Sequence, residues 1–189
     1  MVVAEKISID KLKALIVGLE GERQRRDSLR SSDLAGGVPR GAVVEVTGAK
    51  RTEWVVRLLA ENPEANVAWV ESSLSVLPSA IEQREGGLAR ILFVEAEQEV
   101  DWALRTVLRS GLFGAVVAAG DIRSDRRLRR YQIFAEQSNT SLLLLSESPS
   151  PAWCISLQVE ASAPQGDLLA TLAGARNTRP AVKLLKRKG

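Results

Sequence analysis

The sequence predicts an α/β domain in which a mostly parallel sheet is covered by helices on both faces, a three-layer αβα sandwich. Strand-like apolar runs alternate with amphipathic segments of helical period between residues 42 and 145. The runs 115–119 and 142–145 are wholly apolar, which is typical of parallel strands buried on both faces. Beyond residue 151 strand-like segments follow one another without helices, so we expect antiparallel strands at the C-terminal edge of the sheet or, alternatively, a small hairpin extension.

Each element of the predicted core is bounded by local signals. A glycine-rich turn at 36–41 precedes the first long strand, Gly111 ends a strong helix, and Ser124 is a plausible N-cap. The predicted strands are 42–47, 66–71, 90–95, 114–119 and 141–145, followed by 153–160, 168–175 and 181–185. The predicted helices are 52–60, 77–84, 97–110 and 124–137.

The N-terminal part has a different character from this core. Residues 8–19 have the apolar period of an amphipathic helix, which must bury its apolar face on its own domain or on a neighbouring chain. Residues 20–32 are polar and rich in arginine, and either extend that helix or form a linker. We therefore divide the chain into an N-terminal helix and basic linker (1–32), a core (33–175) and a basic C-terminal strand or tail (176–189).

Composition narrows the possible functions. The 189 residues, 45% of them hydrophobic, suit one domain with short appendages. No apolar run approaches the roughly 20 residues that span a bilayer, and we expect a soluble, cytoplasmic protein without a signal peptide. The lone Cys154 cannot form an internal disulfide, and histidine is absent. This excludes the usual zinc sites and every histidine-based nucleophile system, and we expect no metal.

Basic residues are concentrated at the end of the chain. Residues 168–189 hold six basic residues and no acidic one, so the rest of the chain has fewer basic than acidic residues. Such a segment binds phosphates or an acidic partner surface, or serves as a solvated tail that favours solubility. Its basic members are Arg176, Arg179, Lys183, Lys186, Arg187 and Lys188.

A second basic cluster opens the helix predicted at 124–137. This cluster forms either a solvated outer helix face or a contact with DNA phosphates or an acidic partner surface. The unfavourable position of cations at a helix N-terminus is an argument for the partner contact. Asp125 is the one acidic residue among them, and the spacing of three or four residues puts several on one face. The cluster comprises Arg123, Arg126, Arg127, Arg129 and Arg130.

The four tryptophans are candidate stacking platforms or core residues. Trp69 lies within a strand and Trp102 beside the apolar face of its helix, so we expect both in the core. Trp54 follows the loop after the first long strand and is expected to be more open. Trp153 follows a stretch rich in serine and proline and could anchor an interface. Cys154 is expected to be an inert, buried residue.

Residues 36–48, Gly-Gly-Val-Pro-Arg-Gly-Ala-Val-Val-Glu-Val-Thr-Gly, resemble the RecA family. In that family a Gly-Gly-(apolar)-Pro-x-Gly turn leads into a first strand ending in the glycine that opens the phosphate-binding loop. The resemblance continues to about residue 145 and implies a RecA-like, P-loop NTPase-type fold. Within the family the chain is most similar to the short ImuA and SulA proteins, through residues 90–96, 101–104, 108–111, 115–117, 126–132 and 141–145.

The phosphate-binding loop departs from the working pattern G-x-x-x-x-G-K-[ST]. Gly48 matches the first glycine, and Lys50, Arg51 and Thr52 follow, but the second glycine and the Gly-Lys-Ser/Thr ending are absent. Lys50 comes too early to reach the β and γ phosphates. Glu71 stands where related ATPases keep a catalytic carboxylate, and Asp121 lies just past the strand that would carry the Mg²⁺-binding aspartate. We expect no catalytic residues, no ATP hydrolysis and no cofactor.

The resemblance implies a non-catalytic adaptor of the bacterial DNA-damage (SOS) response. ImuA-like proteins serve translesion DNA synthesis together with an inactive Y-family polymerase homologue, which is the expected partner, with DNA as a further candidate ligand. Two alternatives stay open. A SulA-like protein would bind the division protein FtsZ, and a RecA-like ATPase would use an atypical phosphate-binding loop. Self-association through the N-terminal helix is a further candidate contact.

Overall fold

The computed structural model describes residues 28–82, 88–120, 122, 124–164 and 179–188. The helix predicted at 8–19 and the strand predicted at 168–175 lie outside these residues. So do Asp121 and the candidate contacts Arg123 and Arg176.

The described residues form strands and helices close to the predicted bounds. The strands are β1 (Ser28–Leu29), β2 (Val38–Pro39), β3 (Ala42–Thr47), β4 (Val67–Glu71), β5 (Ile91–Glu95), β6 (Ala115–Ala119), β7 (Ser141–Leu145), β8 (Ile155–Ser162) and β9 (Ala181–Arg187). The helices are α1 (Arg51–Ala60), α2 (Pro78–Glu82), α3 (Val100–Ser110) and α4 (Asp125–Ser138), with a 3₁₀ turn at Leu88–Arg90.

Seven strands form one sheet in the order β5-β4-β6-β7-β3-β8-β9, and β1 pairs with β2 separately. The predicted mostly parallel α/β architecture is confirmed, with β9 antiparallel to β8. The prediction of antiparallel closing strands is wrong for β8, which runs parallel to β3 because the connection after β7 crosses over β3 before β8 begins. Strand β3 lies between β7 and β8 rather than beside β4, unlike the dinucleotide-binding order 3-2-1-4-5-6.

Helices cover both faces of the sheet because successive side chains of a strand point to opposite sides. Val44 and Val46 of β3 pack in one apolar cluster with α1, and Ile81 of α2 joins the same cluster. Val43 belongs to the opposite cluster, which contains the buried residues of α3 and α4. The sheet is thus the central layer of three, and its strand ends carry the loops described below.

Two tryptophans occupy the opposite environments from those predicted. Trp54 is 1% exposed, and its indole N–H donates to Asp33 Oδ2 across 3.1 Å. Trp102 is 58% exposed, because the buried face of α3 is formed by Ala103, Leu104 and Leu108. One position along a helix turns a side chain by about 100°, so a residue next to an apolar stripe points away from it. Trp69 and Cys154 are buried, as predicted.

The helix starts differ in detail from the sequence interpretation. Helix α3 begins at Val100 rather than at residue 97, because a turn in which Glu99 N–H donates to Ala96 O precedes it and Glu97 has a positive φ of 43°. Ser124 stands at the N-cap of α4, but its side chain makes no capping hydrogen bond.

Among the described residues, no helix is long and apolar enough to cross a membrane.

Candidate functional site

The turn between β3 and α1 is short and closed. Lys50 N–H donates to Ala161 O of β8 across 3.0 Å, and Arg51 N–H donates to Gly48 O across 3.2 Å. A phosphate-binding loop works by directing consecutive backbone N–H groups at phosphate oxygens. Here two of the amides in the corresponding place are held by carbonyl oxygens of the protein. The backbone of Gly48, Lys50 and Arg51 therefore forms a tight connection rather than an open cradle.

A cleft of about 380 Å³ opens beside this turn at the C-terminal edge of the sheet. The Arg51 guanidinium borders it and donates to Gly48 O across 3.2 Å, which ties this cation back to the turn. Two carboxylates, Glu71 and Glu147, oppose that one guanidinium, so the lining does not favour a polyanion. The lining residues are Arg51, Thr52, Glu71, Ser75, Ala119, Gly120, Leu145 and Glu147.

Glu71, the candidate catalytic carboxylate, is buried and fully engaged within the protein. The Trp69 indole N–H donates to its Oε1 across 2.8 Å. The backbone N–H and the hydroxyl of Ser75 donate to its Oε2 across 2.6 and 2.9 Å. The carboxylate thereby fastens the loop after β4 to the strand itself. This arrangement gives the acidic residue at the end of β4 a structural role.

A second cleft, of about 430 Å³, contains a buried carboxylate that the sequence analysis did not single out. Glu45 lies within β3, 3% exposed, and its Oε2 accepts from Ser150 N–H across 2.8 Å and from Gln158 Nε2 across 2.7 Å. In the sequence, the signal for this residue is a single carboxylate inside the apolar segment Val-Val-Glu-Val. Its donors, Ser150 and Gln158, secure the crossover from β7 to β8.

Within the described ranges, no cluster of metal-ligating residues is found.

Trp153 brings together the two basic clusters that lie far apart in the sequence. The Arg129 guanidinium of α4 lies 5.6 Å from the centroid of its ring. The Lys188 ammonium, just after β9, lies 4.9 Å from the same centroid. The indole is 55% exposed, so this contact is at the surface. Attraction to the same aromatic ring thereby holds these two cations in one region of the surface despite their mutual repulsion.

This basic region continues along β9 and α4. Lys186 donates to Ala152 O across 3.2 Å, next to Trp153. In the β8–β9 register, Lys183 lies opposite Glu160 and Lys186 lies opposite Gln158. The two lysines therefore lie on the same face of the sheet. Arg126 precedes Arg129 by three positions and is exposed on the same side of α4. We call this region the basic surface, and define it as Arg126, Arg129, Trp153, Lys183, Lys186 and Lys188.

The other candidate cations are placed elsewhere. Arg179 is paired with Asp33 across 2.5 Å and donates to Ser32 Oγ across 2.7 Å. Arg187 donates to Ala35 O and Gly37 O across 2.8 and 2.6 Å.

These two arginines of the basic C-terminal segment therefore fasten it to residues 32–37, and they are not free for a partner. On α4, Arg127 is close enough to Tyr131 to act electrostatically on its pKa, and Arg130 is half-buried.

Burial favours the neutral form of two further titratable groups, Tyr131 and Cys154. Burial raises the pKa of Tyr131, and the hydrogen bond from its hydroxyl to Asp101 Oδ1, 2.6 Å long, raises it further. Asp101 also pairs with Arg105 across 3.2 Å. Burial likewise raises the pKa of the Cys154 thiol, which lies beneath the basic surface near Asp125, Lys186 and Lys188. A neutral buried thiol is a poor nucleophile, consistent with the predicted inert role.

Comparison with protein-family models gives no match, and no curated protein was found to be significantly similar to the chain.

Proposed function

We propose that this protein is a non-catalytic, RecA-like adaptor of the bacterial DNA-damage response that acts through contacts with a partner protein. The partner, on the resemblance to ImuA-like proteins, is an inactive Y-family polymerase homologue of a translesion-synthesis complex. The observation that carries the proposal is the closed turn from Gly48 to Arg51. A turn whose amides are held by Ala161 O and Gly48 O does not wrap a triphosphate.

The architecture is compatible with a RecA-like origin. A glycine with a φ of 92° ends the central strand β3, and a helix follows directly, in the positions that a phosphate-binding loop and its helix would occupy. The cleft at the adjoining strand ends lies where such a fold would bind nucleotide. The scaffold is thus consistent with a nucleotide-binding ancestor whose loop has become a structural turn.

The basic surface supports the part of the proposal that assigns binding to a partner protein. Arg129 and Lys188 meet at an exposed tryptophan, and tryptophan and arginine are the side chains most enriched at the energetic centres of protein interfaces. Nothing in the shape of this surface favours FtsZ over a polymerase homologue. The choice of the polymerase homologue follows the resemblance to ImuA-like proteins, and the resemblance to SulA keeps FtsZ as the alternative.

Nucleotide titration tests the part of the proposal that assigns no ATP-dependent activity to the protein. Isothermal titration of the full chain with ATP and Mg²⁺ is expected to give no heat of binding at micromolar concentrations. A micromolar dissociation constant, lost in the Arg51→Ala variant, would contradict the proposal and favour an ATPase with an atypical loop.

Affinity capture tests the partner. The full chain, tagged and expressed in its own cells after DNA damage, is expected to recover the polymerase homologue and not FtsZ. A double variant, Arg126→Glu with Arg129→Glu, is expected to lose that partner. A matched variant with the same change in charge, Arg57→Glu with Arg109→Glu, is expected to keep it. Recovery of FtsZ without a polymerase homologue would reject the adaptor assignment.

A further inference from the structure

Strand β9 ends the sheet, and its outer edge pairs with no other strand in the described part of the chain. It contains seven residues, so an extended partner of similar length would lie alongside roughly 23 Å of backbone. An unpaired edge offers a row of backbone N–H and C=O groups to another extended chain, the mode of recognition known as strand addition.

The side chains of this edge are a mixture of cations and exposed leucines. Leu184 is 47% exposed and Leu185 is 37% exposed. Lys183 and Lys186 face the same side of the sheet, and Lys188 continues that row to Trp153. Glu160, opposite Lys183, is the carboxylate that β8 contributes to this row. The edge therefore remains strongly positive, with apolar positions between its charges.

This pattern of cations and exposed leucines along β9 favours one kind of binding partner, an acidic strand. A second copy of β9 would bring its own cations, Lys183, Lys186 and Arg187, against those of the first, and like charges across a strand pair are destabilising. An acidic strand with intervening apolar residues would instead place carboxylates beside Lys183 and Lys186 and cover Leu184. The same charges that oppose self-association thus favour an acidic chain.

Nucleic acid fits this edge less well. Binding of single strands depends on aromatic rings with an open face for base stacking. The ring of Trp153 already has Arg129 and Lys188 within 6 Å of its centroid. A strand edge also presents backbone hydrogen-bonding groups, which an extended peptide satisfies in register and a phosphate backbone does not.

We propose that β9 binds an extended, acidic segment of a partner protein as an eighth strand of the sheet. This inference rests on the proposed function in assuming that the chain acts by protein contact, and it adds the place and the chemistry of that contact. Backbone pairing along β9 would supply affinity, and the row from Lys183 to Lys188 would supply the selectivity for acidic residues.

Fluorescence anisotropy with the full chain tests the proposal. The probe is a labelled decapeptide alternating glutamate and valine, with blocked termini. Its analogue, N-methylated at every residue, keeps the charge but has no backbone N–H left to donate to a strand edge. We expect the N-methylated analogue to bind at least tenfold more weakly. We expect Lys183→Glu to weaken binding of the parent peptide about tenfold, and the control Arg57→Glu to leave it unchanged.

The outcomes separate this inference from the proposed function. Equal affinity for both peptides, no binding of the parent peptide at 1 mM, or tighter binding of an oligo-dT strand than of the peptide would overturn strand addition at β9. Capture of the polymerase homologue by the Lys183→Glu variant at wild-type yield would also overturn it, while the adaptor function would stand. Failure of the wild-type chain to capture that homologue, with peptide pairing intact, would reject the adaptor assignment instead.

Discussion

Gly48 lies directly against Ala161: a Cβ added to residue 48 would stand 2.3 Å from the Ala161 carbonyl oxygen. The same oxygen accepts the hydrogen bond from Lys50 N–H, so β8 fixes both ends of the turn after β3. The glycine that opens a phosphate-binding loop in RecA-like proteins is thus needed here for a close approach between backbones. Its presence in the sequence does not by itself indicate nucleotide binding.

Gly48→Ala is expected to destabilise the protein by about 3 kcal/mol, because the new Cβ meets backbone and the φ of 92° is unfavourable for alanine. The matched control is Gly111→Ala, where φ is 66° and no atom lies within 4 Å of the added Cβ. That control should lose about 1 kcal/mol, from backbone strain alone. Urea unfolding of both variants measures the difference, and equal losses would contradict the close contact at Gly48.

Glu71→Ala is expected to lower the free energy of unfolding by about 2 kcal/mol, because the buried Trp69 indole N–H loses its acceptor. Glu147→Ala removes an exposed carboxylate from the same cleft and should change stability by less than about 0.5 kcal/mol. Chemical denaturation followed by tryptophan fluorescence compares the two. A Glu71→Ala variant as stable as the wild type would show that this carboxylate is not a structural anchor.

Stability is expected to fall with rising pH above about 10, where tyrosine in the unfolded chain begins to ionise. The raised pKa of Tyr131 means that the native state holds this proton more tightly than the unfolded state. Its contribution is therefore complete below that pH and is lost as the pH rises further, by ~1 kcal/mol per pH unit.

Tyr131→Phe lacks this titration. It should be about 1 kcal/mol less stable than the wild type at pH 7, since Asp101 loses a hydrogen bond, and the two proteins should converge in stability at alkaline pH. Urea unfolding at a series of pH values gives both curves. Parallel curves would contradict the assigned role of Tyr131.

Asp33 and Arg179 are expected to be energetically coupled by about 1 kcal/mol. The Asp33 side chain is only 11% exposed, so the pair is better shielded than an ordinary surface ion pair. A double-mutant cycle with Asp33→Ala and Arg179→Ala measures the coupling, which should decrease in 1 M salt. Asp33→Ala should be the more damaging single change, because Trp54 also loses its acceptor. Strictly additive effects would show that Arg179 does not fasten residues 32–33.

The secondary structure was predictable because it depends on neighbours in the chain. The apolar period gave β7 its bounds, 141–145, and placed β3 at 42–47. Two kinds of error had a physical cause. Trp102 was misplaced because one residue of helical rotation separates the core from solvent. The direction of β8 was misjudged because strand direction depends on the route of the connection, which composition does not specify.

The sequence by itself determined the alternation of strands and helices, the absence of histidine chemistry and the departure of residues 48–52 from a working phosphate-binding pattern, since all three are properties of residue type and local spacing. Tertiary structure alone decided that Arg179 and Arg187 are held by the 32–37 segment while Arg129 and Lys188 meet at Trp153. Cations of equal charge are indistinguishable in a sequence. Which of them remain available depends on long-range contacts, and only the folded chain specifies those.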